Sequence, residues 1–242
     1  MRVLIPTLLW GRHNLFELWA EHHKSLPVDV LVCGSEGNAS RRIAERHGFA
    51  YAEAPNQPLG RKAQLRLEAT KALDWDYLLF LGSDDFIPAP TLAYYLEHMQ
   101  VGYDFIAPLD LFLYAAERPG LKRRLWYSAG YTWQSAPHRV GEPMAVGRAL
   151  SRAFVERLDF RIWPSVTKYI DRPAWQRIRE HLQSWHTFRL RDNRALIFDV
   201  KSRANLSQFN PRRRGITRAA PDYMARAGVP LRLREALSRL PY

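Results

Sequence analysis

Two adjacent carboxylates follow a strongly apolar stretch in the first half of the chain. Residues 77–81 (Tyr-Leu-Leu-Phe-Leu) have the composition of a buried strand, and Gly82-Ser83-Asp84-Asp85 follows directly. A buried strand can present neighbouring aspartates only where it ends, and carboxylate oxygens are the ligands that Mg²⁺ and Mn²⁺ prefer. A cation held there would bridge a diphosphate and stabilise the charge of a departing nucleotide diphosphate. The alternative is a turn in which the aspartates only cap the backbone.

The elements around this motif alternate between strand and helix. Strands are predicted at residues 2–6, 28–33, 49–53 and 77–81, and helices are predicted to start at residues 14, 38 or 40, and 60. This alternation predicts a parallel α/β sheet, whose ligands bind beyond the carboxyl ends of the strands. We therefore expect residues 7–12, 34–38, 56–62 and 83–85 on one rim. The residues expected to bind the donor of the transferred group are Pro6, Thr7, Arg12, Gly34, Ser35, Glu36, Gly60, Arg61, Lys62, Ser83 and Asp84.

One part of this rim has the features of an anion site. Gly60-Arg61-Lys62 forms the first turn of a predicted helix, where free amides and the helix dipole favour negative charge. The two cationic side chains would extend toward a phosphate. The alternative is a basic first turn on a solvated helix.

The charge of the chain is strongly basic. It contains 36 Lys and Arg against 24 Asp and Glu, a formal net charge of +12, and residues 201–242 hold ten of these cations against two acids. A concentrated basic surface attracts polyanions such as nucleic acid, anionic lipid or a phosphorylated substrate. An Arg-rich solvated surface is the alternative. Residues 210–221, with Arg212, Arg213 and Arg214, are predicted to form an exposed arm.

Cysteine content and hydropathy limit the protein class. Cys33 is the only cysteine, so no internal disulfide can form. No apolar run approaches the roughly 20 residues that span a bilayer. We expect a cytoplasmic protein, because reduced cysteines are typical of that compartment.

Several of these motifs together resemble a known family. Residues 2–90 are similar to the nucleotide-binding half of GT-A glycosyltransferases, especially the small family-2-like enzymes encoded by phages. The similarity rests on Val3-Leu4-Ile5-Pro6-Thr7, Gly60-Arg61-Lys62 and Gly82-Ser83-Asp84-Asp85-Phe86-Ile87, and residues 145–152, 169–172 and 198–206 resemble later segments of these enzymes.

The resemblance extends over residues 2–209 and implies a fold. This is the α/β GT-A fold, with a Rossmann-like, mostly parallel sheet flanked by helices. Residues 1–100 would form the half that binds nucleotide-sugar and metal, and residues 101–209 the acceptor half. A basic C-terminal extension of residues 210–242 would follow.

The resemblance also implies an activity and its residues. A sugar would pass from a nucleotide-sugar, in the first instance a UDP-sugar, to an acceptor hydroxyl with inversion. Asp85 would be the direct ligand of Mn²⁺ or Mg²⁺ and Asp84 its helper, because Ser83 occupies the first position of the usual Asp-any-Asp motif. His186 is the candidate third ligand. Asp171, at a predicted helix start, is the candidate base.

The remaining site predictions concern the acceptor. Asp110 is the second candidate for the catalytic base, after Asp171. Arg148, Lys201, Arg212, Arg213 and Arg214 are expected to bind acceptor phosphates. Tyr127, Tyr131, Trp133 and Trp163 would stack on sugar rings or bases, or else close a second small core.

Two acceptor classes fit these residues. One is a hydroxymethylated pyrimidine in double-stranded DNA, flipped into the site while basic residues hold the backbone. The other is a glycan, a lipid-linked sugar or a protein side chain. The absence of a membrane-type amphipathic helix favours DNA.

Two other functional classes stay open. A nucleotidyltransferase also pairs a parallel sheet with metal-binding carboxylates, but it usually has a Gly-rich basic signature after its first strand. This chain has only Gly11 and Arg12 there. A non-catalytic nucleic-acid-binding module is the other class, and it would not need Asp84 and Asp85.

Overall fold

The structure is a computed structural model and describes residues 1–115, 124–201, 210 and 215–240. In chain order its strands are β1 (Val3–Leu9), β2 (Asp29–Gly34), β3 (Ala50–Glu53), β4 (Tyr77–Phe80), β5 (Asp85–Phe86), β6 (Phe105–Pro108), β7 (Leu111–Ala115), β8 (Arg124–Ser128), β9 (Arg148–Ser151), β10 (Trp185–Phe188), β11 (Phe198–Lys201) and β12 (Ile216–Arg218). Its α-helices are α1 (His13–Lys24), α2 (Asn38–Arg46), α3 (Leu59–Ala69), α4 (Ala89–Val101), α5 (Arg152–Arg157), α6 (Asp171–His181), α7 (Tyr223–Arg226) and α8 (Leu231–Arg239).

The larger sheet has seven strands in the order β10-β6-β9-β4-β1-β2-β3. Strands β1 to β4 run parallel, and β10 runs parallel to β6. Only β9 is antiparallel to its neighbours β4 and β6. Helices flank this sheet, so the predicted mostly parallel α/β architecture is confirmed.

Alternation along the strands buries both faces of this sheet. In β4, Tyr77 and Leu79 join the hydrophobic cluster that also contains α1, while Leu78 and Phe80 join the cluster on the opposite face. Successive side chains of a strand point to opposite faces. A strand covered on both faces is therefore apolar throughout, which explains why residues 77–81 were recognisable in the sequence.

A smaller sheet completes the fold, with strands in the order β12-β8-β7-β11-β5. Strand β11 runs parallel to β7 and antiparallel to β5, and β12 is antiparallel to β8. Part of the C-terminal extension therefore belongs to the body of the protein. Residues 216–218 form a strand instead of the predicted exposed arm, and Leu233 and Leu237 of α8 are buried in the main core.

Two predicted helix caps differ from the structure. Helix α1 begins after Arg12, whose backbone is left-handed (φ 53°), so Asn14 lies within the first turn. Helix α6 has the predicted bounds, but Asp171 is its first helical residue and Ile170 precedes it as the cap. Among the described helices, none is both long and apolar enough to cross a bilayer.

The first turn of α3 packs tightly against the loop before α6, and this predicts a stability effect. A Cβ at Gly60 would lie 1.9 Å from the Pro164 carbonyl oxygen, whereas a Cβ at Gly48 meets no atom within 4 Å. We expect Gly60→Ala to lower the free energy of unfolding by at least about 2 kcal/mol, because the loop must move. Urea denaturation measures this loss.

The control for this prediction is Gly48→Ala. Gly48 has φ +76°. An alanine there should therefore lower the free energy of unfolding only through backbone strain, by about 1 kcal/mol. Equal losses in the two variants would show that Gly60 and Pro164 do not constrain each other.

Candidate functional site

Three carboxylates meet where the β4–β5 connection contacts β11. Asp85 lies opposite Asp199 in the antiparallel pair of β5 and β11, and Asp84 precedes Asp85. One ligand atom from each of the three lies within 4.8 Å of the others. The Val200 amide donates to the Asp84 carbonyl oxygen at 2.8 Å, and the Gly82 amide donates to Asp85 Oδ2 at 2.5 Å. The backbone therefore holds the cluster from both sides.

Two members of the cluster, Asp85 and Asp199, are buried. Asp85 Oδ1 and Asp199 Oδ1 have no hydrogen-bond partner within the described part of the chain. Burial, followed by the charges of Asp199 and Asp84, raises the pKa of Asp85 well above its usual value. Burial and the charge of Asp84 raise the pKa of Asp199 to about 7, although Lys201 opposes this. The raised pKa values favour protons on Asp85 and Asp199, or a cation bound in their place.

Lys201 is in direct contact with the cluster. Its ammonium forms an ion pair with Asp199. Burial acts to lower the pKa of Lys201, but the carboxylates of Asp199 and Asp84 outweigh burial and raise it. Lys201 was predicted to meet an acceptor phosphate; the structure places it at the carboxylates instead.

The donor set fits a hard divalent cation. All three candidate ligands are carboxylates, and two of their oxygens are buried without a protein partner. Such oxygens suit Mg²⁺ or Mn²⁺. Binding would require the protonated groups to lose their protons, so affinity should rise with pH.

Arg12 links the β1–α1 turn to the carboxylates. Its Nη1 donates to Asp84 Oδ2 at 2.5 Å, and its Nη2 lies 3.3 Å from Ser83 Oγ. The left-handed backbone of Arg12 turns the chain toward this contact. Arg12, Ser83 and Asp84, which were predicted on one rim, are therefore brought together.

Further polar groups line the ends of β1 and β2. Glu36 accepts hydrogen bonds from the Gly11 amide at 2.8 Å, and its Oε2 lies 2.9 Å from His13 Nε2. Burial acts to raise the pKa of Glu36, but these hydrogen bonds outweigh it and lower the pKa. The buried hydroxyl oxygens of Thr7 and Ser35 have no partner among the described residues. Two buried hydroxyl oxygens therefore lie near the rim without a partner among the described residues.

Pro6, Thr7 and Gly34 differ slightly from their predicted setting. Strand β1 continues to Leu9, so Pro6 and Thr7 lie inside the strand, and Gly34 is the last residue of β2. They support the rim from within the sheet.

The polar groups of the predicted anion site at the start of α3 bond to other groups of the protein. Lys62 is buried, and its Nζ donates to the Leu9 carbonyl at 2.9 Å and to Asn56 Oδ1 at 3.2 Å. Burial lowers the pKa of Lys62 to about 8. The Gly60 amide donates to the Val166 carbonyl at 2.8 Å, and Arg61 pairs with Glu68. This turn therefore braces the end of β1, and its contact with a phosphate stays a prediction.

The two candidate bases have different surroundings. Asp110 is fully buried and accepts hydrogen bonds from the Leu190 amide at 2.7 Å and the Arg191 amide at 3.4 Å. Burial raises the pKa of Asp110. It therefore anchors a turn and is not placed to meet an acceptor. Asp171 is exposed at the start of α6, so a substrate can reach its carboxylate.

Asp171 lies close to several groups of the second half. Burial lowers the pKa of Arg148, and the charge of Asp171 opposes that shift. Arg148 itself is buried and donates to the carbonyl oxygens of Met144 at 3.0 Å and Pro143 at 3.1 Å. Arg148 therefore holds the loop that precedes β9, and its contact with an acceptor phosphate stays a prediction.

His186 is not a member of the carboxylate cluster. Its Nε2 lies 3.0 Å from the Tyr94 hydroxyl, and its ring stacks on His98 with centroids 4.0 Å apart. It belongs to β10, an edge strand of the larger sheet, whereas Asp85 and Asp199 belong to the smaller sheet. The prediction that it supplies a third metal ligand is corrected by this position.

The four candidate stacking residues divide between core and surface. Tyr127 is buried and packs on Phe112, with centroids 5.3 Å apart, so the core interpretation applies to it. Trp163 contacts Phe80 edge-on, and Tyr131 lies under the Arg139 guanidinium at 3.7 Å. Trp133 is 75% exposed and stays available for stacking.

The sequence prediction missed Asp199 as a site residue. The signal was present, because Asp199 and Lys201 are two residues apart and so share one face of a strand that is otherwise apolar. Arg212, Arg213 and Arg214 lie outside the described residues.

Comparison with known proteins identifies the fold. Residues 1–349 of S. aureus TarS match with a TM-score of 0.59 and 13% identity, covering 83% of this chain and 60% of that one. The same fragment in complex with UDP-GlcNAc matches with a TM-score of 0.60 and 12% identity, covering 87% and 62%. The fold is that of the GT-A glycosyltransferases.

These matches support no more than the fold at this level of identity. The complex of TarS with UDP gives a TM-score of 0.57 at 13% identity, covering 84% of this chain and 61% of that one. The chain thus spans about three fifths of the length of the TarS fragments. No protein-family model and no curated protein sequence matches the chain.

The raised pKa values predict a pH-dependent response to metal. Asp199 has a pKa raised from 3.8 to about 7 in the folded protein. The folded state thus binds more protons than the unfolded state between these values, and metal-free stability falls as pH rises through about 7. Mn²⁺ should raise Tm more at pH 8 than at pH 5.5, because fewer protons must leave. Thermal unfolding measures both shifts.

Two variants test the origin of this response. Asp199→Asn should remove most of the Mn²⁺ shift at pH 8. Asp104→Asn alters a carboxylate of similar burial, paired with Arg157, and should keep the shift. An undiminished shift in Asp199→Asn would place the metal elsewhere.

Proposed function

We propose that the protein is a metal-dependent glycosyltransferase that transfers a sugar from a UDP-sugar to an acceptor hydroxyl with inversion. The observation that carries this proposal is the carboxylate cluster of Asp84, Asp85 and Asp199 in a GT-A fold. The TarS structures in complex with UDP and UDP-GlcNAc support the choice of donor.

The donor would bind across the ends of β1, β2 and β4. Thr7 and Ser35 offer hydroxyls without a protein partner in the described chain, and Glu36 offers a carboxylate to ribose hydroxyls. Asp85 and Asp199 would hold Mn²⁺ or Mg²⁺, with Asp84 assisting. When bound, this cation supplies positive charge to the diphosphate of the donor. Arg12 and Lys201 keep the adjacent carboxylates in place.

The transfer needs a group that accepts one proton. The acceptor oxygen forms a bond to the anomeric carbon while the bond from that carbon to the UDP oxygen breaks. UDP leaves with the electron pair, and the hydroxyl proton passes to the Asp171 carboxylate. Asp171 suits this role because its carboxylate is exposed and does not cap its helix.

The acceptor we propose is a 5-hydroxymethylpyrimidine in phage-type double-stranded DNA. The net charge of +12 and the basic residues of the segment 201–242 favour a polyanionic acceptor. Trp133, 75% exposed, could stack on a flipped base. Glycan, lipid-linked and protein acceptors are the competing outcomes of the test below.

The base assignment predicts a selective loss of rate. Asp171→Asn removes the proton acceptor and should lower the transfer rate by roughly 10²- to 10⁴-fold. Binding of UDP with Mn²⁺ should not change, because Asp171 belongs to the acceptor side. Single-turnover transfer and calorimetric titration of UDP measure the two effects. Asp159→Asn, at an exposed carboxylate elsewhere, is the control. Full activity of Asp171→Asn would refute the assignment.

The acceptor proposal is tested with a panel of UDP-sugars and two DNA duplexes. We expect the mass of one sugar to be added to nucleosides of hydroxymethylated DNA and none to unmodified DNA, as measured by mass spectrometry. NMR of the product reports the anomeric configuration. Transfer to a glycan or protein but not to DNA would overturn the acceptor while leaving the transferase activity in place.

A further inference from the structure

A polar cavity lies beside helix α6, and none of the three clustered aspartates lines it. It has a volume of about 270 Å³ and is bounded by α6 on one side and by residues 138–142 on the other. Helix α6 contributes Arg172, Gln176 and Arg179, which are spaced so that they share one helix face. The opposing loop contributes Arg139 and Glu142.

The charges that line this cavity are unbalanced. Arg139 and Glu142 neutralise each other through a two-pronged contact, in which Nε donates to Oε2 at 2.8 Å and Nη2 donates to Oε1. The side chains of Arg172 and Arg179 form neither a hydrogen bond nor an ion pair within the described part of the chain. Two guanidinium groups therefore face one concave space, and the carboxylate that lines it, Glu142, is already paired with Arg139.

Such an arrangement suits one class of ligand. Guanidinium groups bind phosphate oxygens in a planar, two-pronged geometry, and a concave wall strengthens the positive potential. The Gln176 amide between the two arginines adds a neutral donor.

We propose that this cavity binds a phosphodiester group of the acceptor, an assignment to the acceptor that rests on the proposed transferase function. Arg172 directly follows Asp171, the proposed base, and the Arg139 side of the cavity also lies within reach of the Asp171 charge. A strand held here by its backbone would present a neighbouring nucleotide to Asp171. In the DNA acceptor, the bound group is a backbone phosphate beside the target nucleotide.

The test compares two double variants that lose the same charge. Arg172→Gln with Arg179→Gln alters the cavity, whereas Arg42→Gln with Arg46→Gln alters two exposed arginines on α2. Fluorescence anisotropy with a labelled DNA duplex gives Kd over a range of salt concentrations. The cavity variant should bind on the order of tenfold more weakly for each lost guanidinium. Its salt slope should fall by about one to two units, with the α2 variant near wild type.

The outcomes separate this proposal from the transferase activity. Equal affinities and slopes in the two variants would overturn the cavity site. A cavity variant that loses duplex binding but still binds UDP with Mn²⁺ supports it, even if wild type transfers no sugar to any acceptor. In that case the transferase function fails and the phosphate site stands.

A competitor identifies the source of the phosphodiester. An oligomer of glycerol phosphate carries the same group without bases. If it binds the wild type but not the cavity variant, while the duplex binds both equally, the DNA source is overturned. Stronger binding of the duplex that is lost in the cavity variant supports DNA.

Discussion

Mutual repulsion among Asp84, Asp85 and Asp199 is the constraint on which the site depends. Their oxygens lie within 4.8 Å of one another, and Asp85 and Asp199 are almost fully buried. Like charges at such distances in a poorly solvated place cannot all persist without compensation. Lys201 and Arg12 compensate part of the charge. Protons or a divalent cation must supply the rest, and this need is the reason for proposing a cation site here.

The two sheets are joined at this cluster. Asp85 belongs to β5, directly after the last parallel strand of the first half, and Asp199 belongs to β11, which continues through β7 and β8 into the second half. Arg12 adds a contact from the turn after β1. Residues from the first and the second half of the chain therefore meet at one set of carboxylates. A cation there would stabilise the positions of both halves relative to each other.

The sequence predicted those parts of the fold that local pattern controls. Strands β1, β2 and β4 are largely apolar because both faces of their sheet are covered, and α6 has the predicted bounds. The pairing of Asp85 with Asp199 joins residues far apart in the chain, so no local pattern contains it. The burial of Lys62 and Arg148 was hidden for the same reason, because their partners are carbonyl groups that the fold brings near.

We propose that the carboxylates of Asp85 and Asp199 hold the divalent cation that binds the donor diphosphate. A crystal structure grown with Mn²⁺ and UDP tests it directly, since manganese is located by its anomalous scattering. We expect one strong anomalous peak in contact with Asp85 and Asp199 and with the diphosphate oxygens of UDP. A peak elsewhere, or UDP bound at this rim with no manganese at the two aspartates, would contradict it.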